Sequence, residues 1–313
     1  MFAFLMRRIV ATLPVLVVVA AIVFLMTRLS PVDPAAALLG DNASVENVQK
    51  VRAQLGLDQP VVVQFLHWGA HVVQGDLGQS YIVKFPVSKL IEQRIEPTIS
   101  LAALTLVFTL LVAIPLGVIA AWKHGGWLDR ILMGFSSLGF SVPIFVIGYL
   151  LIWLFALKLQ WLPVQGYQRL SAGLWPWLSH LLMPALALSV IYIALIARVT
   201  RASVAEAMTE DYIRTARAKG IGEKQLLIRH ALANAAVPIV TVVGIGIALL
   251  IGGVVVTESV FNIPGLGSLA VDAVLSRDFP LIQGITLFFS VIYVVINLLV
   301  DISYLVFDPR IRY

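Results

Sequence analysis

The chain has 313 residues, 60% of them hydrophobic and only 12% charged, with 22 Lys and Arg against 17 Asp and Glu for a formal net charge of +5. A mean hydropathy of +0.95 and apolar runs of roughly 20 residues exclude an ordinary soluble domain and indicate an integral membrane protein. Cysteine is absent, which excludes disulfides, thiolate metal sites and a cysteine nucleophile, and the modest positive charge reads as basic loops at a membrane surface, with no nucleic-acid partner expected.

Backbone groups in hydrocarbon must be satisfied within their own segment, and these runs are too long and too little alternating for barrel strands. The expected class is therefore an all-α membrane protein. About six spans are placed near Ile9 to Leu29, Thr98 to Trp122, Ile131 to Leu157, Leu178 to Ala197, Val237 to Thr257 and Leu281 to Phe307. Arg7 and Arg8 before the first span and small residues at Ala35 to Ala37 after it are the parts of a cleavable signal. Its apolar run is longer than a signal core and further spans follow, so an uncleaved anchor is expected. The organisation is then an N-terminal transmembrane helix (1–30), a segment with short helices (31–97), and a five-helix core (98–313) containing a polar loop (198–236).

In the segment after the first span, Ser44 is a candidate N-cap, Val45, Val48, Val51 and Leu55 recur at helical spacing, and Gly56 stands where a helix-terminating glycine belongs. "LGLDQP" and "GDLGQS" follow, and Gly75, Asp76 and Gly78 predict turns rather than a phosphate site. His67 and His71 share an i, i+4 spacing that suits metal ligands, but no third ligand or H-E-x-x-H glutamate accompanies them, and a structural role beside Trp68 is expected. Ser141 and the other scattered serines lack the motif context of a nucleophile.

Orientation follows from Lys and Arg in short loops. A cytoplasmic N-terminus collects Arg7, Arg8, Lys123, Arg130, Arg198, Arg201, Arg214, Arg217, Lys219, Lys224, Arg229, Arg310 and Arg312 on that side, against Lys158, Arg169 and Arg277 in the short loops opposite. Both termini are therefore expected to face the cytoplasm.

Between the fourth and fifth spans lies "EDYIRTARAKGIGEKQLLIRHALANAAVP", Glu210 to Pro238. Each of its charges would cost ~2.5–3.5 kcal/mol at mid-bilayer on insertion scales, so it lies in water or against protein. Ala205, Met208, Tyr212 and Ala216 are spaced to line one helical face, Glu206, Glu210, Arg214 and Arg217 another, with Glu210 and Arg214 as an i, i+4 pair. Gly220, after Lys219, predicts a left-handed stop, and a second short helix is expected from about Glu223. Helix, glycine turn and helix form either a docking surface or a basic loop on lipid headgroups, and periodicity does not choose between them. Glu258, just beyond an apolar span, is a functional candidate because ionisable groups are costly there. Asp301 is expected to pair with Arg310 or Arg312.

"YIRTARAKGIGEKQLLIRHALANAAVP" resembles the cytoplasmic loop of permease subunits of binding-protein-dependent ABC importers, in the branch that includes dipeptide, oligopeptide, glutathione and nickel permeases. "LGLDQP", "GDLGQS", "SVPIF", "TESVFNIPGLGSLAVDAVLSRDFPLIQG" and "NLLVDISYLVFDPRIRY" extend the resemblance in order along nearly the whole chain. It implies a type I importer permease fold in the bacterial inner membrane, surrounded by lipid, that moves peptides, with nickel or glutathione as alternative cargo. It implies as partners a second homologous permease, two ATP-binding cassette subunits and a periplasmic or lipoprotein solute-binding protein. ATP and Mg would sit on the ATPase subunits, and this chain would be no enzyme and hold no cofactor, metal or catalytic residue. The implied ATPase-coupling residues are Met208, Glu210, Asp211, Tyr212, Arg214, Thr215, Ala216, Arg217, Ala218, Lys219 and Gly220. Glu258, Phe261, Pro264 and Gly265 are the implied periplasmic gate. The wider superfamily begins this loop Glu-Ala-Ala with a glycine four residues on. Ala216 and Gly220 keep that register, but Arg214 and Thr215 replace the glutamate and first alanine, so no glutamate salt bridge to the ATPase carries over.

Two other classes fit the sequence less well. A secondary transporter would show internal repeats, broken helices and paired membrane charges, of which the sequence displays little, and a membrane hydrolase would need an intramembrane acid, base or metal set. No G-x-x-x-x-G-K-[ST] phosphate loop is present, and "GIGEKQ" has the wrong spacing.

Overall fold

The computed structural model describes residues 2–29, 33–39, 44–54 and 56–307. Among the described residues the regular structure is helical, with a single isolated antiparallel bridge between Gln79 and Pro86. In chain order the helices are α1 (Phe2–Arg28), α2 (Pro34–Leu39), α3 (Val45–Gln54), α4 (Val61–Val73), α5 (Val87–Trp122), α6 (Trp127–Ser141), α7 (Ile144–Lys158), α8 (Leu174–Ala207), α9 (Asp211–Ala218), α10 (223–234), α11 (Ala236–Val260), α12 (Leu266–Ser276) and α13 (Phe279–Phe307). Helices α1, α5, α8, α11 and α13 are long and apolar enough to cross a membrane, and α6 with α7 makes a sixth span if the bent pair counts as one. Two compact units divide the chain, Met1–Ile95 with Leu269–Val294 and Glu96–Ser268 with Val295–Tyr313.

In the first unit, the expected helix after Ser44 forms as α3: Ser44 Oγ accepts from Asn47 N at 3.3 Å, and Gly56 adopts φ +64°. Leu55, the last residue of the expected stripe, lies outside the described residues. Gly75 and Gly78 have φ of +85° and +80°, and the Asp76 carboxylate accepts from Gly78 N at 2.9 Å, so the expected turns are there. Helix α4 turns Phe65 and Trp68 toward Phe24 of α1, with ring centroids 5.4 and 5.5 Å away. The two motifs "GDLGQS" and "SRDFPLIQG" meet at the buried Asp278, whose carboxylate accepts from the Ser80 hydroxyl and from Tyr81 N.

The second unit is built on α8, with 67% of its most apolar window buried against 33% for α11. Small residues let the backbones of neighbours approach it. A Cβ on Gly117 of α5 would lie 2.6 Å from the Ala197 carbonyl oxygen, and one on Gly139 of α6 would lie 2.9 Å from Ala194 Cβ.

Three expectations are corrected. The third span is not one helix from Ile131 to Leu157 but the pair α6 and α7, bent by 102°. Val142 is extended at φ −93° and ψ 121°, as a residue before proline prefers, and Pro143 has no N–H to continue the ladder. A broken helix is therefore present, which the sequence did not display. The second span starts at Val87 rather than Thr98, carrying Lys89, Glu92, Arg94 and Glu96 on a helix that Pro97 does not interrupt. The fourth extends past Ala197 to Ala207, so Arg198 and Arg201 are helical rather than loop residues.

Candidate functional site

Helix α8 runs directly into the polar loop. Met208 N and Thr209 N still bond back to Val204 O and Glu206 O, then Glu210 becomes extended at ψ 150° and α9 begins at Asp211. This interruption overturns the expected continuous faces. Met208 is half-buried beside α8, whereas Tyr212, on the next helix, is 39% exposed. Arg214 pairs with Asp211 at 3.3 Å instead of with Glu210. What α9 buries is Ile213 and Ala216, and Ile213 is packed with Val204, Ala207, Leu227, Ala231, Ala235 and Ile239. Asp211, Tyr212, Arg214, Thr215, Arg217, Ala218, Lys219 and Gly220 are left exposed, and Glu210 likewise. Ile213 escaped the sequence reading because the face was counted through a helix break.

Gly220 closes α9 with φ +81°, as expected, and nothing lies within 4 Å of a Cβ built on it. Across this turn Arg217 donates twice to Glu223, Nε to Oε1 at 2.6 Å and Nη2 to Oε2 at 3.2 Å. Arg217 thereby holds the Glu223 carboxyl below the usual carboxylate value, and its own guanidinium is raised. Helix α10 begins at Glu223, where a second helix was expected, and includes a π-helical turn, Leu226–Ala231.

Above the loop, Asp129 at the start of α6 takes a bidentate pair from Arg201 on α8, Nε to Oδ1 at 2.8 Å and Nη2 to Oδ2 at 2.7 Å. Their side chains are only 6% and 20% exposed. Gly125 N donates to the same carboxylate at 2.9 Å, and Arg201 Nη2 also reaches His124 Nδ1 at 2.8 Å. Sequence reasoning missed this cluster. A signal was there, since Asp129 is the only carboxylate between Glu96 and Glu206.

At the far end of α11, Glu258 is completely buried. Its Oε1 accepts from Thr98 Oγ1 at 2.6 Å, its Oε2 from Ser268 N at 2.9 Å, and the Thr98 hydroxyl in turn accepts from Leu266 N at 2.8 Å. Phe261 is buried against Gly148 of α7, while Pro264 is exposed. Gly265 packs directly on the Glu258 carboxylate. The four residues expected to form a gate thus share one short loop and its anchor. Phe261 O also accepts from Gly166 N at 2.9 Å, and Tyr167, Ser100 and Glu96 are joined through the Tyr167 hydroxyl.

His67 and His71 line a cavity of about 500 Å³ in the first unit with Arg28, Gln64, Trp68 and Tyr81. His71 Nδ1 lies 3.5 Å from Asp76, and among the described residues no three His, Cys, Asp or Glu side chains group as a metal site. Arg310 and Arg312, the expected partners of Asp301, lie outside the described residues.

Residues 113–313 match the family described as binding-protein-dependent transport system inner membrane component, and residues 1–102 its N-terminal companion, binding-protein-dependent transport system membrane component, N-term. The chain is 51% identical, over 100% of both chains, to the probable peptide ABC transporter permease protein y4tP of Sinorhizobium fredii (strain NBRC 101917 / NGR234). It is 44% identical, again over 100% of both, to the putative peptide transport system permease protein BAB2_1050 of Brucella abortus (strain 2308). The glutathione transport system permease protein GsiC of Salmonella typhi is 41% identical over 100% of both chains. Among solved structures, a chain of the inward-facing MetNI methionine ABC transporter superposes with a TM-score of 0.56 at 17% identity, covering 70% of this chain and 96% of that one.

Proposed function

The chain belongs to the binding-protein-dependent transport system inner membrane component family and is a multi-pass inner-membrane permease of an ABC importer, and we propose that its cargo is a peptide and that the 208–220 segment is where ATP hydrolysis is coupled to it. Kinship with peptide permeases over the whole chain carries the cargo assignment. Glutathione, a small peptide itself, is the second reading, favoured by the GsiC relative.

The proposed assembly contains a second permease, two ATPase subunits that hold ATP and Mg, and a solute-binding protein on the outer side. The Lys and Arg asymmetry supports placing both termini and α9 in the cytoplasm, with the 261–265 loop opposite. Helix α9 suits a docking role because its buried face is used up on α8, α10 and α11 while its polar face is free for a partner. Force applied there reaches the bilayer through two stiff rods, α8 of 34 residues and α11 of 25, about 51 and 37 Å long at ~1.5 Å per residue.

The test is peptide uptake into proteoliposomes holding the full complex, with mass spectrometry of the solute retained by the binding protein. Gly220→Val probes the coupling segment, because a β-branched side chain at φ +81° is strained by about 1–2 kcal/mol even in open space. Uptake and recovery of the ATPase subunits should fall, and Gly220→Asn, which tolerates the left-handed region, should restore much of both. Wild-type uptake and subunit recovery in Gly220→Val would reject the coupling role.

A further inference from the structure

A carboxylate at the end of an apolar helix is costly to bury unless donors meet it. Around Glu258 the chain supplies them from separate elements. Thr98 of α5 donates its hydroxyl at 2.6 Å, and Ser268 donates its backbone N–H at 2.9 Å. Thr98 also accepts from Leu266 N at 2.8 Å. Leu266 and Ser268 form the first turn of α12, an 11-residue helix, so these N–H groups lack partners within their own helix and mark its positive end. The loop is also shaped around the carboxylate. A Cβ on Gly265 would collide with it, and one on Gly267 would lie 2.6 Å from Val255 Cα and 2.9 Å from Glu258 Oε2. Ile263 N bonds to the Glu258 carbonyl at 2.9 Å, and Ser268 Oγ accepts from Gly265 N at 3.1 Å. Phe261 and Ile263 point inward and are buried, while Asn262 and Pro264 face out.

We propose that Glu258 is the positioning residue that latches the 261–265 loop to α5 and α11, so that the loop opens only when those helices move together. The inference rests on reading this loop as the gate. Were the loop to lift alone, Glu258 would keep the Thr98 hydroxyl but lose the Ser268 N–H, and Leu266 N would lose the Thr98 oxygen. Partial opening thus breaks two bonds at a buried carboxylate and is disfavoured, and the loop has two states rather than a continuum. Because α11 continues at its other end into the α9–α10 segment, a displacement there reaches the latch through one uninterrupted helix. The latch thereby ties opening to the ATPase stroke.

The test uses the assembled complex in nanodiscs, with Ile263→Cys, at a position 1% exposed while the loop is closed, as reporter in every version so that its own packing cost cancels. The chain has no cysteine of its own, so maleimide labelling at the otherwise buried position 263 reports loop opening. Glu258→Gln should speed labelling without ATP on the order of tenfold, the factor expected from weakening a hydrogen bond to a charged group. ATP hydrolysis should persist without the solute-binding protein, and fewer solute molecules should enter per ATP. Thr98→Val should act the same way and Thr98→Ser, which keeps the hydroxyl, should not. Wild-type labelling and wild-type solute per ATP in Glu258→Gln would overturn the proposal. So would uptake and hydrolysis that fall together, with labelling per folded chain unchanged, since that is the signature of a merely structural carboxylate. If Glu258→Gln does not assemble, the Thr98 pair decides by the same labelling: faster in Val alone supports the latch, and no difference between Val, Ser and wild type rejects it. Failure of the unmodified complex to import peptide counts against the cargo reading, while the labelling comparison still judges the latch.

Discussion

Asp129 and Arg201 lie 72 residues apart and form a bidentate ion pair within the second unit. Fully buried pairs cost ~3–5 kcal/mol when one partner is removed, and with Arg201 one-fifth exposed a loss of about 1–3 kcal/mol is expected for Asp129→Ala. Thermal unfolding in detergent should show the lowered midpoint. The double variant with Arg201→Ala should be less destabilised than the sum of the single changes, because neither charge is then left alone. The Arg217–Glu223 pair predicts a pH dependence. Glu223's carboxyl is held below its ordinary value of 4.5 mainly by the hydrogen bond from Arg217, so the pair's contribution is full above that value and disappears as pH falls through the lower, folded one. Hydrogen exchange across residues 211–225 should stay constant from neutral pH down to about 5, once intrinsic rates are removed, and rise only in stronger acid. Glu223→Gln should abolish the acid step. Both pairs were invisible to local spacing: Asp129 finds its partner on another span, and Glu223 is six residues from Arg217, across a turn that no single helical face connects.

At the scale of elements, close approaches decide which helices move together. Gly117 has Ala197 O and Thr200 within 3 Å of a would-be Cβ, whereas Gly134 has nothing within 4 Å. Gly117→Val should therefore wedge α5 from α8 at a cost of roughly 1–3 kcal/mol, the range for overpacking. Recovery of folded protein and its unfolding midpoint should drop, while Gly134→Ala should leave both intact. Hydropathy placed the long spans, but not their ends. Helix α5 starts earlier because helical bonding continues through charged residues that no hydrocarbon has to accept, and α8 overruns for the same reason at Arg198 and Arg201. Prolines were no guide to the break. Pro14, Pro97, Pro115 and Pro184 sit inside continuous helices, while the chain bends at Pro143, so the outcome depends on what packs around each proline rather than on the residue alone.

For the whole molecule, the basic-residue asymmetry makes a topological prediction that a cysteine-free chain tests cleanly. Asp76→Cys should react with an impermeant maleimide in intact spheroplasts and Arg217→Cys only after lysis. Labelling of both before lysis would overturn the proposed orientation. What the sequence determined by itself was the solvent of the fold and, through it, the class: a bilayer leaves a backbone little choice but helices, so apolar length alone yields the spans. Local chemistry also survived intact where one residue suffices, as with the left-handed Gly220 and the Ser44 cap. The family was legible too, because its motifs follow one another in order along the chain. Only the tertiary structure joined Thr98 to Glu258 and Ser80 to Asp278, 160 and 198 residues apart. It also turned Ile213 inward and broke the third span, since a buried polar group is satisfied by whichever donor the packing brings to it, and sequence distance does not record that choice.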